Sequence, residues 1–161
     1  MTTAIKKLSP TRIRRLKQQG YLSYTDEQLS DLAYGNRFAY RLCSAMLLVG
    51  VLTANFVLLG FMFLIAMFGF ILPNHPFDYV YNYFFSERLG MAKLPPRSKQ
   101  LKFTCFIATL WIGATMALFY TGYSMGGYIM GAMLFGMALI VATTDYCMPS
   151  IIYNWLFGVK I

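Results

Sequence analysis

The residues in this chain best suited to nucleophilic, redox or soft-metal chemistry are three cysteines and a single histidine: Cys43, Cys105, Cys147 and His75. Thiolates and imidazole together make ligand sets for zinc, copper or iron, and a thiol beside an imidazole makes a nucleophile–base pair. The spacing does not preassemble either. No CxxC or HxxxH occurs, so any cluster of Cys43, His75, Cys105 and Cys147 has to be built by the fold. Cys147 with Cys105 or His75 is the chemical reading. Packing of small thiols is the bland one, and no metal or other cofactor is expected beyond bound lipid. GxSxG, glycine-rich phosphate loops and paired carboxylates at useful spacing are missing, so no catalytic residue is assigned and an enzyme is not expected.

A second polar feature stands at the end of the last long apolar run, where TTDYCMPS brings Asp145, Cys147 and Pro149 together. A carboxylate at the edge of hydrocarbon is costly unless paired. Arg37 and Arg41, one helical turn apart, are the expected partners in a structural ion pair with Asp145.

The elements that must position these groups follow from composition. Apolar residues make up 58% of the 161 and charged residues 12%, and the mean hydropathy is +0.53. Soluble domains carry about 25% charged residues, so the class is integral membrane. The net charge of +8 comes from basic residues that flank apolar runs: Lys6 to Lys17, Arg37 and Arg41, Arg88 to Lys102, and Lys160. That pattern signals topology and attraction to anionic lipid head groups. No basic face is interleaved with base-reading residues, so nucleic acid is excluded as a partner.

Residues 42–77 and 103–144 form uncharged runs of 36 and 42 residues. About 20 residues cross a ~30 Å hydrocarbon core, so each run is too long for one span and suits two short ones. The expected fold is all-α, with four transmembrane helices as two hairpins near 38–53, 56–72, 103–120 and 127–144. Tight turns fall at Thr53–Asn55 and at TGYSMG. This parity puts all 14 basic residues and both termini on the cytoplasmic side. The bacterial inner membrane is the expected location, with the mitochondrial inner membrane as the alternative.

Residues 1–35 read as a basic arm with two short helices. Ser9-Pro10 and Gly20 bound the first. The capping box of Thr25 with Gln28 opens the second, which is expected to end by Gly35. The transmembrane domain takes 36–161, including interfacial segments at 74–90 and 150–161. Pro95-Pro96 makes 94–99 a loop. Gly127, Gly131, Ala132 and Gly136 form a small-residue ridge on the fourth span, suited to close helix packing inside the bundle or against a partner or second copy.

NRF at 36–38, HPFDYVYN at 75–82, LPPRSKQLKFTC at 94–105 and DYCMPSIIYNWLFG at 145–158 together resemble a bacterial family of small membrane proteins classed as a domain of unknown function. The matching positions are Asn36, Arg37, His75, Pro76, Asp78, Cys105, Cys147, Pro149 and Ser150. The resemblance spans roughly 35–158. Some relatives end in CxxC, and an association with thioredoxin-like or sulfurtransferase proteins implies thiol or sulfur chemistry. Here Ser150 replaces the second cysteine, so Cys147 cannot close an internal CxxC disulfide.

Three functions are consistent with these residues. The leading expectation is a non-enzymatic accessory, structural or assembly subunit of a larger membrane complex. A thiol- or sulfur-handling protein comes second, and a small oligomeric transporter third. The central portions of the spans contain no charged residue or histidine, which disfavours proton or ion transport.

Overall fold

The computed structural model describes residues 8–160. Lys6 and Lys7 of the basic arm, and Ile161 of the 150–161 segment, lie outside them. Helices account for 77% of the structure, and no strand occurs among the described residues.

Helix α1 (Pro10–Gln18) starts with proline at its first turn and stops before Gly20, whose φ of 100° only glycine adopts freely. Any side chain at Gly20 would also collide with Ser98, so this glycine serves both the turn and the contact. Helix α2 (Asp26–Leu52) opens with the full capping box of Thr25 and Gln28. It does not stop at Gly35. The expected second short helix and first span are one helix of 27 residues, about 40 Å long at 1.5 Å per residue. Gly35 is there for packing: a Cβ would lie 2.6 Å from the Tyr81 ring.

The turn after α2 falls at Thr53–Asn55, where Ala54 has a positive φ and the Asn55 side chain caps α3 (Phe56–Ile71). Pro73 closes that helix. The chain bends by 83° and continues as α4 (Pro76–Val80), a π-helical turn (Tyr81–Phe85) and α5 (Ser86–Leu89). The prolines at 95 and 96 keep 91–98 out of any helix. Ser98 then caps α6 (Lys99–Tyr120), which begins earlier than the apolar run because two lysines fit its first turns. Helix α7 (Ser124–Thr144) ends in left-handed Asp145, and α8 (Met148–Leu156) follows with Pro149 in its first turn.

The bundle pairs α3 with α6, α2 with α7, and α6 with α7, while α8 lies against α6. Leu47, Val51, Leu59, Met62, Ile112, Phe119 and Leu134 fill its centre. A second core at the base joins Leu16, Tyr21 and Leu29 to Tyr40, Leu101 and Cys147, so the N-terminal arm shares the bundle's packing. Outside, Val57 is 84% exposed, and Phe61, Phe68, Leu110, Ile129 and Met133 also face outward. That apolar wall is larger than the surface of a soluble monomer tolerates. Helices α6 and α7 are each long and apolar enough to cross a membrane, and α3 with the bent α4–α5 segment makes a third candidate.

The small-residue ridge of α7 divides between inside and outside. Gly127 packs on Phe119 and Gly131 on Val51, whereas Ala132 is exposed and Gly136 faces open space. A Cβ at Gly131 would lie 2.5 Å from a Val51 methyl, and that branched side chain has no room to swing away. Gly131→Ala should therefore lower stability by about 1–3 kcal/mol, while Gly136→Ala should be neutral or gain up to about 1 kcal/mol of helix propensity. Unfolding of both variants in detergent measures the contrast, and equal losses would contradict this packing.

Candidate functional site

One face of α2 carries Asn36, Tyr40, Cys43 and Leu47 at helical intervals, and the last three line the space between α2, α3, α6 and α7. Between those helices lies a cavity of about 110 Å³. Its shaft is apolar, walled by Leu47, Met62, Ile65, Ile112, Leu134 and Val141. Its other end is bordered by Tyr40, Cys43, His75, Arg97, Thr104 and Cys105, which carry polar groups although the cavity surface itself is almost wholly apolar. Three of the four singled-out soft groups, Cys43, His75 and Cys105, therefore share one chamber. Cys147 is held just behind it. Its Sγ lies 3.3 Å from Thr104 Oγ1 and 3.1 Å from Ser150 Oγ, and the two hydroxyls are 3.2 Å apart. All three cysteines are free, and among the described residues no three His, Cys, Asp or Glu side chains are placed to hold a metal ion.

The polar end is organised by an ion pair. Asp78 and Arg97 are both buried, and the guanidinium donates to the carboxylate through Nε at 2.6 Å and Nη2 at 3.0 Å. Arg97 Nη1 points the other way and donates to Cys105 Sγ at 3.7 Å. Burial alone would disfavour the charge on Arg97. The Asp78 carboxylate more than offsets this, and the guanidinium's pKa is raised well above its ordinary value. Pairing of this kind is what allows two charges to stay buried.

His75 is the N-cap of α4. Its Nδ1 accepts from the Phe77 N–H at 3.3 Å, and the His75 backbone N–H donates to Asp78 Oδ2 at 3.2 Å. Pro76 supplies the first helical residue. Burial pushes the imidazole pKa down to about 3; Arg97 acts in the same direction and Asp78 opposes it. The ring is therefore neutral near pH 7, with its proton on Nε2 because Nδ1 is occupied as an acceptor. Gly69 makes room for this edge. A Cβ there would collide with the imidazole and lie 3.0 Å from Cys105 Sγ. The Cys105 thiol thus lies buried beside both a guanidinium and a neutral imidazole.

Asp145 lies outside the chamber. Its carboxylate is fully buried and accepts from Arg37 Nε at 2.7 Å and from Arg12 Nε at 2.8 Å. Arg37 is thus one expected partner, but Arg41 is not. It sits one turn further along α2, is exposed, and stacks over the Tyr34 ring instead. The N-terminal arm supplies what Arg41 does not. Besides Arg12, Gln19 Nε2 donates to the Asp145 carbonyl at 2.7 Å and Arg15 donates to the Thr144 carbonyl at 2.8 Å. Asn36 donates to Gln19 Oε1 and accepts from the Tyr21 hydroxyl.

The reading of the residues missed Tyr40, Arg97, Thr104 and Arg12. Tyr40 was legible in principle, because it lies between Asn36 and Cys43 on one helical face. Arg97 and Arg12 reach their carboxylates only through the fold.

An all-helical bundle with apolar helices long enough for a membrane, enclosing a small polar-ended chamber, defines the class of protein. The sequence profile of one family matches residues 33–157, and the chain belongs to that family, described as a domain of unknown function (DUF4395). No curated protein and no solved structure matches the chain.

The neutral histidine gives a pH signature. Folded His75 takes a proton only near pH 3, whereas unfolded histidine does so near 6.5. The unfolded chain thus binds more protons in that window, so stability falls as pH drops from 6.5 toward 3. The groups facing the ring are Arg97, Asp78 and Cys105. The loss between pH 6.5 and 5 should be on the order of 1–2 kcal/mol. His75→Gln should flatten that slope in pH-dependent unfolding. An unchanged slope would mean that His75 is not buried neutral.

Proposed function

We propose that the chain is a four-span protein of the bacterial inner membrane, with both termini cytoplasmic, that handles small uncharged sulfur compounds through Cys105. The observation that carries this reading is the Cys105 thiol beside His75 and Arg97 Nη1, in a chamber shared with Cys43. The chamber's apolar walls and internally neutralised ion pair suit an uncharged, compact reactant better than a charged peptide or glutathione. The four-span reading, with basic residues inside, assigns this chamber to the cytoplasmic end of the bundle. The aromatic residues exposed on the bent α4–α5 segment and on α8, among them Tyr83, Phe84, Trp155 and Phe157, suit the head-group layer. Anionic lipid at that surface is the expected partner of the basic arm.

The step is thiol–disulfide exchange. The Cys105 sulfur attacks one sulfur of an organic disulfide and that S–S bond breaks. The leaving thiolate takes the thiol proton, and a mixed disulfide on Cys105 remains. Cys147 is less suited to attack, because Thr104 and Ser150 hold its sulfur on the far side of the chamber wall.

A second reading, an accessory or assembly subunit, is favoured by the outward half of the α7 ridge. Ala132 is exposed, and no atom lies within 4 Å of a Cβ built at Gly136, which leaves a face open to another helix.

Dimethyl disulfide tests the first reading. Peptide mapping of the treated protein in detergent should find the methylthio group on Cys105, and treatment with glutathione disulfide should leave no glutathionyl group there. Modification confined to Cys147, or equal modification by both reagents, would overturn the reading in favour of the subunit role.

A further inference from the structure

The hydroxyl of Tyr40 is the one buried side-chain nitrogen or oxygen among the described residues that has no hydrogen-bond partner. Tyr40 is 9% exposed, and it lines the chamber. A buried phenol normally finds a partner, because leaving it unpaired costs its lost hydration. The guanidinium of Arg97 lies over its ring, 5.7 Å from the centroid.

Other donors surround the same space. His75 carries its proton on Nε2, and that nitrogen makes no hydrogen bond among the described residues. Arg97 Nη1 has only the long contact to Cys105 Sγ. Few polar atoms reach the chamber's surface, and those bordering this end are donors. The same end is poor in net charge, because Arg97 is matched by Asp78 and His75 is neutral. A carboxylate or phosphate entering here would find no unpaired cation to offset its dehydration. An ammonium would find no unpaired carboxylate. What fits is an uncharged molecule that presents an acceptor to these donors.

The shaft sets the rest of the ligand. Leu47, Met62, Ile112 and Leu134 offer only apolar contact. The volume of about 110 Å³ is somewhat smaller than the ~150 Å³ apolar cavity known to take benzene. The apolar body is thus a small ring or a short chain.

We propose that the chamber is a binding site for small uncharged molecules carrying a carbonyl-type oxygen on a compact apolar body, with the Tyr40 hydroxyl donating to that oxygen. The site rests on the chamber geometry and requires no reaction at Cys105. Its failure and the failure of the sulfur-exchange reading are therefore separate results.

Cyclopentanone and methylenecyclopentane, which share a shape and differ in the acceptor, are the probes. In the wild-type protein, cyclopentanone should protect Cys105 from N-methylmaleimide at concentrations where methylenecyclopentane does not, as read by peptide mapping. Tyr40→Phe keeps the ring on Arg97 and removes only the hydroxyl. It should weaken the protection about tenfold, the loss expected of one hydrogen bond. Without ligand, the same variant should unfold roughly 2–4 °C higher than wild type, because an unpaired buried hydroxyl has been removed. Equal protection by both probes would overturn the proposal, since water alone would then satisfy Tyr40. A lower unfolding temperature for Tyr40→Phe would overturn it too, by showing a protein partner for the hydroxyl. If Tyr40→Phe does not fold, the two-probe comparison in wild type still decides. Methylthiolation of Cys105 by dimethyl disulfide without discrimination between the probes would leave sulfur exchange standing and this proposal refuted.

Discussion

Burial of charge at one end of the bundle is the constraint on which the rest depends. Asp78 and Asp145 are both withdrawn from solvent, and each is met by guanidinium. A carboxylate buried alone would protonate or unfold its surroundings. Breaking either pair from one side leaves an uncompensated charge, at a cost of about 3–5 kcal/mol. The arginines are drawn from distant segments. Arg97 comes from the proline-stiffened stretch before α6, Arg12 from α1, and Arg37 from α2. Satisfying the carboxylates therefore assembles the base of the molecule.

The two pairs are joined through a short chain of hydrogen bonds. Ser98, next to Arg97, donates to the Gln19 carbonyl, and the Gln19 side chain donates to the Asp145 carbonyl. Gly20 allows the approach, because any larger residue would strike Ser98. The basic arm is thereby locked across the ends of α2, α6 and α7. Asn154 reinforces it from α8 by donating to the Gln18 carbonyl and accepting from Gln100. The consequence for the chamber is rigidity at its polar end. Arg97 cannot leave Asp78 without exposing both, so Cys105 and Tyr40 keep a fixed guanidinium beside them.

Much of the fold was legible because it rests on local chemistry. Ser9-Pro10, the Thr25–Gln28 capping box, Pro73, Pro95-Pro96 and the Thr53–Asn55 turn mark real boundaries. Gly35 misled because its role is tertiary: it admits the Tyr81 ring, and the helix continues through it. The first turn of α6 was missed because its apolar run was counted and the Ser98 cap was not, and that of α7 because TGYSMG was read as a turn. Arg41 was favoured over Arg12 on proximity along the sequence, while the fold brings α1 to the end of α7. The convergence of Cys43, His75 and Cys105 on one chamber was not legible, because it depends on how α2, α3 and α6 rotate against each other.

The central claim is that Cys43 and Cys105, on different helices, face one another across a single small chamber, while Cys147 lies behind its wall. Mercuric ion, which is small enough for the chamber and binds two thiols at once, tests this directly in folded protein carrying Cys147→Ser. The account predicts that one equivalent protects both Cys43 and Cys105 from alkylation, read by peptide mapping. Protection of only one of the two thiols by one equivalent would contradict it.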